Sequence, residues 1–130
     1  MKFILAFLLG AHGIAHIVGF VASWRLATLP EAPYKTTVLA HSIDVGDAGV
    51  RLVGVLWLAA AVAFVVAGWA VAVDANWALR ATTVTALASL ALCLVGWPEA
   101  RVGLFVNAGL LLLLAIASRV SLGLFAAAHP

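Results

Sequence analysis

Charged residues are scarce in this chain of 130 residues, and their scarcity excludes a water-soluble monomer. Seven Lys and Arg and five Asp and Glu are present, whereas 66% of the residues are hydrophobic. A soluble domain is about 45–50% apolar and about 25% charged. The net charge of +2 rests on so few groups that it predicts no nucleic-acid partner. The expected partner is therefore the lipid bilayer.

Cysteine and interior acidic residues are also nearly absent. The single cysteine, Cys93, excludes an intrachain disulfide and a cysteine-rich metal site. No apolar window contains a glutamate, which argues against a di-iron carboxylate bundle. Most metal-dependent bundle chemistry is thereby excluded, and only histidine remains as a candidate interior ligand.

Long apolar windows are what the sequence does contain. All charged residues lie outside four windows, residues 3–24, 52–73, 81–98 and 102–118. Such lengths suit helices that cross a hydrocarbon core about 30 Å thick. With their flanking residues they predict spans at about 3–24, 50–73, 77–96 and 99–119. The predicted fold class is all-α, a single transmembrane domain over residues 1–130 that forms an antiparallel four-helix bundle.

The connections between the spans differ in length. Two are short and force antiparallel neighbours, while residues 25–46 form one long loop between helices 1 and 2, in which segment 36–43 is expected to form a short interfacial helix. Four spans place both termini on one side. Three basic residues fall on that side and four on the other, a balance that does not fix the orientation. The termini are cytoplasmic if Arg51 and Arg101 serve a site rather than a loop.

Polar residues that could carry chemistry concentrate at one depth of the bundle. Counted inward from the side of the long loop at about 1.5 Å per residue, His16 and Ser89 lie roughly 10 Å deep and Asn107 roughly 9 Å. Polar groups avoid facing lipid. We therefore expect a polar pocket in the leaflet half on that side.

Two histidines on helix 1 are the first candidate site residues. His12 and His16 are four residues apart and share one helix face. They could offer two imidazoles to a metal ion, with His41 as a third ligand and the nearby carboxylates as alternatives. A haem would need a second copy of the chain for its other axial ligand. Packing of two neutral histidines through hydrogen bonds is the alternative interpretation.

Asp47 and Arg51 form the second candidate group. They have the acid-before-base spacing of a helical ion pair, with Asp47 at the helix N-cap. Arg51 could anchor an anionic or polar headgroup, and Trp57, deeper on the same helix, could form a wall of the pocket. A cap and a snorkelling arginine explain the same residues without a ligand.

Arg101 and Asn107 form the third group. Arg101 could be a second headgroup anchor or could pair with Glu99 at the interface. Asn107 lies within a leucine-rich span and is expected to face other helices, either as a ligand-binding residue or as a hydrogen-bonding link between helices.

Three segments resemble a group of small bacterial four-helix membrane proteins without an established activity. They are AHGIAHIVGF at 11–20, DAGVRLVGVLWL at 47–58 and WPEARVGLFVN at 97–107. A looser likeness, at the level of the fold, extends to DoxX-like and EXPERA-type proteins. The resemblance implies a multi-pass protein of the bacterial cytoplasmic membrane. It includes the same candidate residues, which are His12, His16, Asp47, Arg51, Arg101 and Asn107.

Three functions remain open from these residues. The leading hypothesis is binding of a small amphipathic molecule, a lipid, quinone or isoprenoid, with catalysis an open question. His16 would then be the proton-transfer group, because imidazole titrates near neutrality. The alternatives are a metal- or haem-binding membrane protein that uses His12 and His16, and a structural subunit of a membrane complex. A homo-oligomer is compatible with all three.

Overall fold

Four helices make up most of the chain that the structure describes. The computed structural model describes residues 2–127, and side chains are described for residues 2–119. The helices are α1 (Lys2–Ser23), α2 (Gly46–Ala72), α3 (Ala78–Val95) and α4 (Arg101–Ala127). The predicted all-α fold class is confirmed, and each helix is long and apolar enough to cross a membrane. The predicted domain also includes Met1 and residues 128–130, which lie outside the described residues.

Helix α1 packs antiparallel along α2, and small residues let the two backbones approach closely. Lys2 pairs with Asp74 at one end of this helix pair. A Cβ added at Gly13 would lie 2.8 Å from the carbonyl oxygen of Ala61, and one added at Gly68 would lie 2.8 Å from that of Ala6. Glycine is therefore required at both contacts, because any side chain would force the helices apart.

The core is small and partly polar, while most large apolar side chains face outward. Phe64 and the alanines around it are buried, but so are His16, Ser89 and Asn107. Phe7 on α1 is 74% exposed, and Val102 on α4 is 69% exposed. Exposed apolar side chains on every helix suit lipid rather than water. This pattern agrees with a multi-pass membrane protein.

The long loop contains a small hairpin instead of the predicted interfacial helix at 36–43. Strands β1 (Thr37–Val38) and β2 (Ile43–Asp44) pair antiparallel. The turn between them has three consecutive residues with positive φ, starting at Leu39. Backbone N–H groups of Leu39 and Ala40 donate to the carbonyls of Val95 and Trp97 at 2.9 and 3.0 Å. The hairpin is thus held by groups at the end of α3, which a local pattern cannot show.

Two helix starts also differ from the sequence prediction. Helix α2 begins at Gly46 rather than near residue 50, and α4 begins at Arg101 rather than 99. Asp47 is in the first turn of α2 and is not its N-cap, since Val45 occupies that position. The neighbouring Asp44 instead accepts a hydrogen bond from the N–H of Gly46 at 2.9 Å. Consecutive turns through residues 96–100 precede α4.

Candidate functional site

Polar side chains from three helices meet in one hydrogen-bonded cluster, which we call the polar network: His12, His16, Ser89 and Asn107. Nε2 of His16 lies 2.6 Å from Oγ of Ser89, and Nδ2 of Asn107 donates to the same oxygen at 2.8 Å. Oδ1 of Asn107 lies 3.2 Å from Nε2 of His12. The residues that the sequence places at a common depth are therefore in contact.

The chemistry of the acceptors fixes the direction of each hydrogen bond in the polar network. Nδ1 of His16 lies 2.8 Å from the backbone carbonyl of His12, which can only accept, so this nitrogen carries the proton. With His16 neutral, Nε2 accepts from the Ser89 hydroxyl, and the Ser89 oxygen is left to accept from Asn107. The amide oxygen of Asn107 then accepts from Nε2 of His12. The network is complete with both histidines neutral.

One nitrogen of the polar network has no hydrogen-bond partner among the described residues. No hydrogen bond to Nδ1 of His12 occurs among the described residues, and no buried side-chain nitrogen or oxygen among them lacks a partner. This nitrogen is therefore accessible. His12 is half-buried and lines a cavity, whereas His16 is 4% exposed and has both ring nitrogens in hydrogen bonds.

The cavity has a volume of about 300 Å³ and lies on the side of the long loop. Along α1 it extends from Ser23 to His12, which is about 16 Å at 1.5 Å per residue. Valines and alanines from α1, α2 and α4 form part of its wall. Its volume is at the lower end of the range of about 300–1,000 Å³ for small-molecule sites. The predicted polar pocket is thus a mainly apolar cavity with His12 and His16 at its deep end.

Trp57 forms a rigid part of the cavity wall. Its ring centroid lies 5.3 Å from that of His16. A Cβ added at Gly19 would lie 2.5 Å from the Trp57 ring, and one at Gly96 would lie 2.9 Å from it. The indole is therefore held between two glycines, which fixes its position beside the histidine.

Loop residues form the mouth of the cavity, and they carry its charges. Tyr34, Lys35 and Glu99 all line it, and Lys35 donates to the Glu99 carboxylate. His41 Nε2 lies 3.9 Å from the same carboxylate. Partial burial raises the pKa of Glu99, but the hydrogen bond and charge of Lys35 outweigh it, so the pKa is below its usual value.

Four predicted ligand-binding residues lie outside the cavity lining. Asp47 binds Arg25 at 3.1 Å and also accepts from Tyr34, so the expected Asp47–Arg51 pair is wrong. The Arg51 guanidinium lies 5.8 Å from the Trp24 ring centroid. Arg101 is exposed, and Glu99 pairs with Lys35 rather than with it. Asn107 is fully buried behind His12, which it positions.

The metal ligands expected from the sequence are not brought together. His41 is in the hairpin turn, where its Nδ1 lies 3.0 Å from the Thr37 hydroxyl. Among the described residues, no group of three His, Cys, Asp or Glu side chains is placed to hold a metal ion. His16 would have to release a hydrogen bond to coordinate a metal, because both its nitrogens are in use.

Sequence reasoning did not select Tyr34 or Lys35 as mouth residues, and it assigned Ser89 a depth but no site role. The signal for Ser89 was its depth, which matches that of His16. No comparable signal marks Lys35, because its partner is 64 positions away along the chain. Comparisons with protein-family models, with curated proteins and with solved structures find no match to this chain.

Proposed function

We propose that the cavity binds a small amphipathic molecule taken from the bilayer, a lipid, quinone or isoprenoid. The observation that carries the proposal is an apolar cavity of about 300 Å³ that ends at a hydrogen-bonding histidine within a membrane helix. Apolar walls with a few placed polar groups are typical of small-molecule sites. A ligand would place its apolar body against the valines and its polar group beside His12.

The side of the cavity between α1 and α4 supports entry from the membrane. Val18 on α1 and Val102 and Val106 on α4 line the cavity, yet they are 45%, 69% and 44% exposed. A side chain that lines a cavity and is also exposed marks an opening in its wall. In a bilayer this opening faces lipid chains, so an apolar molecule could enter without crossing water.

Charged side chains at the mouth suit a headgroup region. Lys35, Glu99 and Tyr34 lie where the cavity meets the long loop. They replace Arg51 and Arg101 as the charged and polar groups nearest to the entrance of the cavity. His12 replaces His16 as the imidazole with a nitrogen free for the bound molecule, so any proton exchange with that molecule would pass through His12.

The proposal places the protein in the bacterial cytoplasmic membrane. Its support is the likeness of segments 11–20, 47–58 and 97–107 to small bacterial membrane proteins.

Native mass spectrometry of protein gently extracted from its own membrane tests the proposal. Ala22 on α1 lines the cavity and Ala11 on the same helix is exposed and does not, so Ala22→Phe and Ala11→Phe form a matched pair. We expect a stoichiometric lipid-like mass in the wild type and in Ala11→Phe, and its loss in Ala22→Phe. Val53→Phe, which fills the cavity from α2, should repeat the loss.

Metal analysis of the same samples tests the alternative based on the histidines. A stoichiometric metal or haem that is lost in His16→Ala would overturn the lipid-like ligand. If all variants retained the bound molecule equally, the cavity would not be its binding site. Nothing bound in any sample would favour a structural subunit, in which the polar network only joins helices.

A further inference from the structure

We infer that the molecule bound in the cavity carries a hydroxyl group that donates a hydrogen bond to Nδ1 of His12. This inference rests on the proposed function, and it narrows the ligand class to membrane-soluble alcohols and phenols. Carbonyl compounds and carboxylates of the same shape are excluded, because they offer only acceptors at the deep end of the cavity.

The inference follows from the direction of the hydrogen bonds in the polar network. Each member has a single consistent role once the backbone carbonyl of His12 fixes the proton on Nδ1 of His16. Ser89 then donates to His16 and accepts from the amide nitrogen of Asn107. The amide oxygen of Asn107 is left to accept from Nε2 of His12. Nε2 of His12 must therefore carry its proton.

A neutral His12 with its proton on Nε2 has a bare Nδ1. A second proton would create a cation within the membrane, and no described carboxylate hydrogen-bonds to this ring. Burial of an unpaired charge there is strongly unfavourable. His12 lines the cavity, and Nδ1 is its ring nitrogen outside the polar network, so we take this lone pair to face the cavity. The Phe64 ring centroid is 4.7 Å from that of His12.

A lone pair in an apolar cavity favours ligands that carry a hydrogen-bond donor over ligands that carry only acceptors. A ligand hydroxyl satisfies it, whereas a carbonyl or ether oxygen at the same position would face it with another lone pair. A site built to bond one polar group rejects an analogue that lacks it, since the site's own polar atom is then left unpaired.

Three probes of one carbon skeleton test the inference: farnesol, farnesyl methyl ether and farnesal. Binding of each to the purified full chain in detergent can be measured by native mass spectrometry and by thermal shift. We expect farnesol to bind about tenfold more tightly than the other two, as the loss of one hydrogen bond implies. Ala22→Phe should weaken all three, and Ala11→Phe none.

His12→Phe serves as the second test, because the phenyl ring keeps the shape but removes the acceptor. The preference for farnesol should disappear in this variant while farnesyl methyl ether still binds. If the variant does not fold, the three probes on the wild type decide the question alone.

The two proposals fail in different ways. Equal binding of all three probes to the wild type, still abolished by Ala22→Phe, would overturn the hydroxyl inference and leave the cavity as a binding site. Absence of binding by every probe, or binding that Ala22→Phe does not change, would overturn the proposed cavity function for this ligand class and the inference with it.

Discussion

Ser89 lies where three helices of the bundle meet. It is fully buried, its oxygen accepts from Asn107, and its hydroxyl proton goes to His16. One small hydroxyl therefore joins α1, α3 and α4. Replacement by another polar group of different size would break at least one of the two bonds.

Ser89→Ala should lower the free energy of unfolding by about 1–3 kcal/mol, because it leaves buried groups on Asn107 and His16 without a partner. Thermal unfolding in detergent measures the effect. Thr83→Val is the control on the same helix, since the Thr83 hydroxyl bonds only the carbonyl of Leu79 four residues earlier. The control should change stability by no more than about 0.5 kcal/mol. Equal losses of stability in the two variants would show that the polar network contributes no more than an ordinary side-chain hydrogen bond.

Depth in the membrane was predictable from the sequence at the residue scale, but pairing was not. Counting from the span ends placed His16, Ser89 and Asn107 together, because polar groups in a membrane avoid lipid. The Asp47–Arg51 pair was wrong, because Arg25 and Tyr34 from the long loop reach Asp47 instead. Helical spacing describes neighbours on one helix and contains no information about a loop that folds back.

Helix α1 owes its close contact with α2 to glycines at chosen positions. Gly19 faces Trp57, whereas Gly10, on the same helix, has open space where a Cβ would be. Alanine substitutions at the two positions therefore distinguish the packing role of a glycine from its ordinary destabilising effect within a helix.

Gly19→Ala should destabilise the protein by about 1–3 kcal/mol, as overpacking does, because Trp57 cannot retreat without meeting Gly96. Gly10→Ala should be neutral or stabilising by up to about 1 kcal/mol, since alanine favours a helix. The unfolding midpoints of the two variants provide the comparison. A Gly19→Ala protein as stable as Gly10→Ala would mean that the indole is not held between the helices.

The loop that covers the mouth should respond to acid through Glu99. Its pKa is lowered in the folded protein, although burial acts in the opposite direction, because Lys35 stabilises the carboxylate. The stabilisation by this pair is fully present above the pKa of Glu99 in the unfolded chain, about 4.3. It is lost as the pH falls through the lower pKa of Glu99 in the folded protein. The Glu99 carboxylate is therefore charged at neutral pH.

Lys35→Met should therefore be less stable than the wild type at neutral pH, by about 1 kcal/mol for a partly exposed pair, and equal to it well below about pH 4. Unfolding midpoints measured across this range show whether the difference disappears. Asp74→Asn, which removes the exposed pair with Lys2 at the far end of α1, is the control and should have little effect. A difference that persists in acid would indicate that Lys35 acts by packing.

Spans were predictable at the element scale, but loop structure was not. Charge-free windows located all four helices to within a few residues at most ends, since hydrophobic length is a strong local signal. The hairpin at 37–44 was missed because its backbone bonds go to Val95 and Trp97, far along the chain. The end of α4 was predicted at 119, yet the helix continues to Ala127.

The whole molecule combines an apolar exterior with a cavity that opens on one side. Polar atoms are concentrated at the deep end and at the mouth, and apolar walls lie between them. Such a division matches a molecule with a polar group and an apolar body. On this proposal, the polar network presents the bare Nδ1 of a neutral His12 to that molecule.

Nitrogen NMR of the full chain with isotope-labelled histidine, in lipid bilayers at neutral pH, tests this claim most directly. The chemical shifts distinguish a protonated ring nitrogen from a bare one. We predict a proton on Nδ1 of His16 and on Nε2 of His12, with Nδ1 of His12 bare and shifted when farnesol is added. A doubly protonated His12, or a proton on its Nδ1 instead of Nε2, would contradict the account.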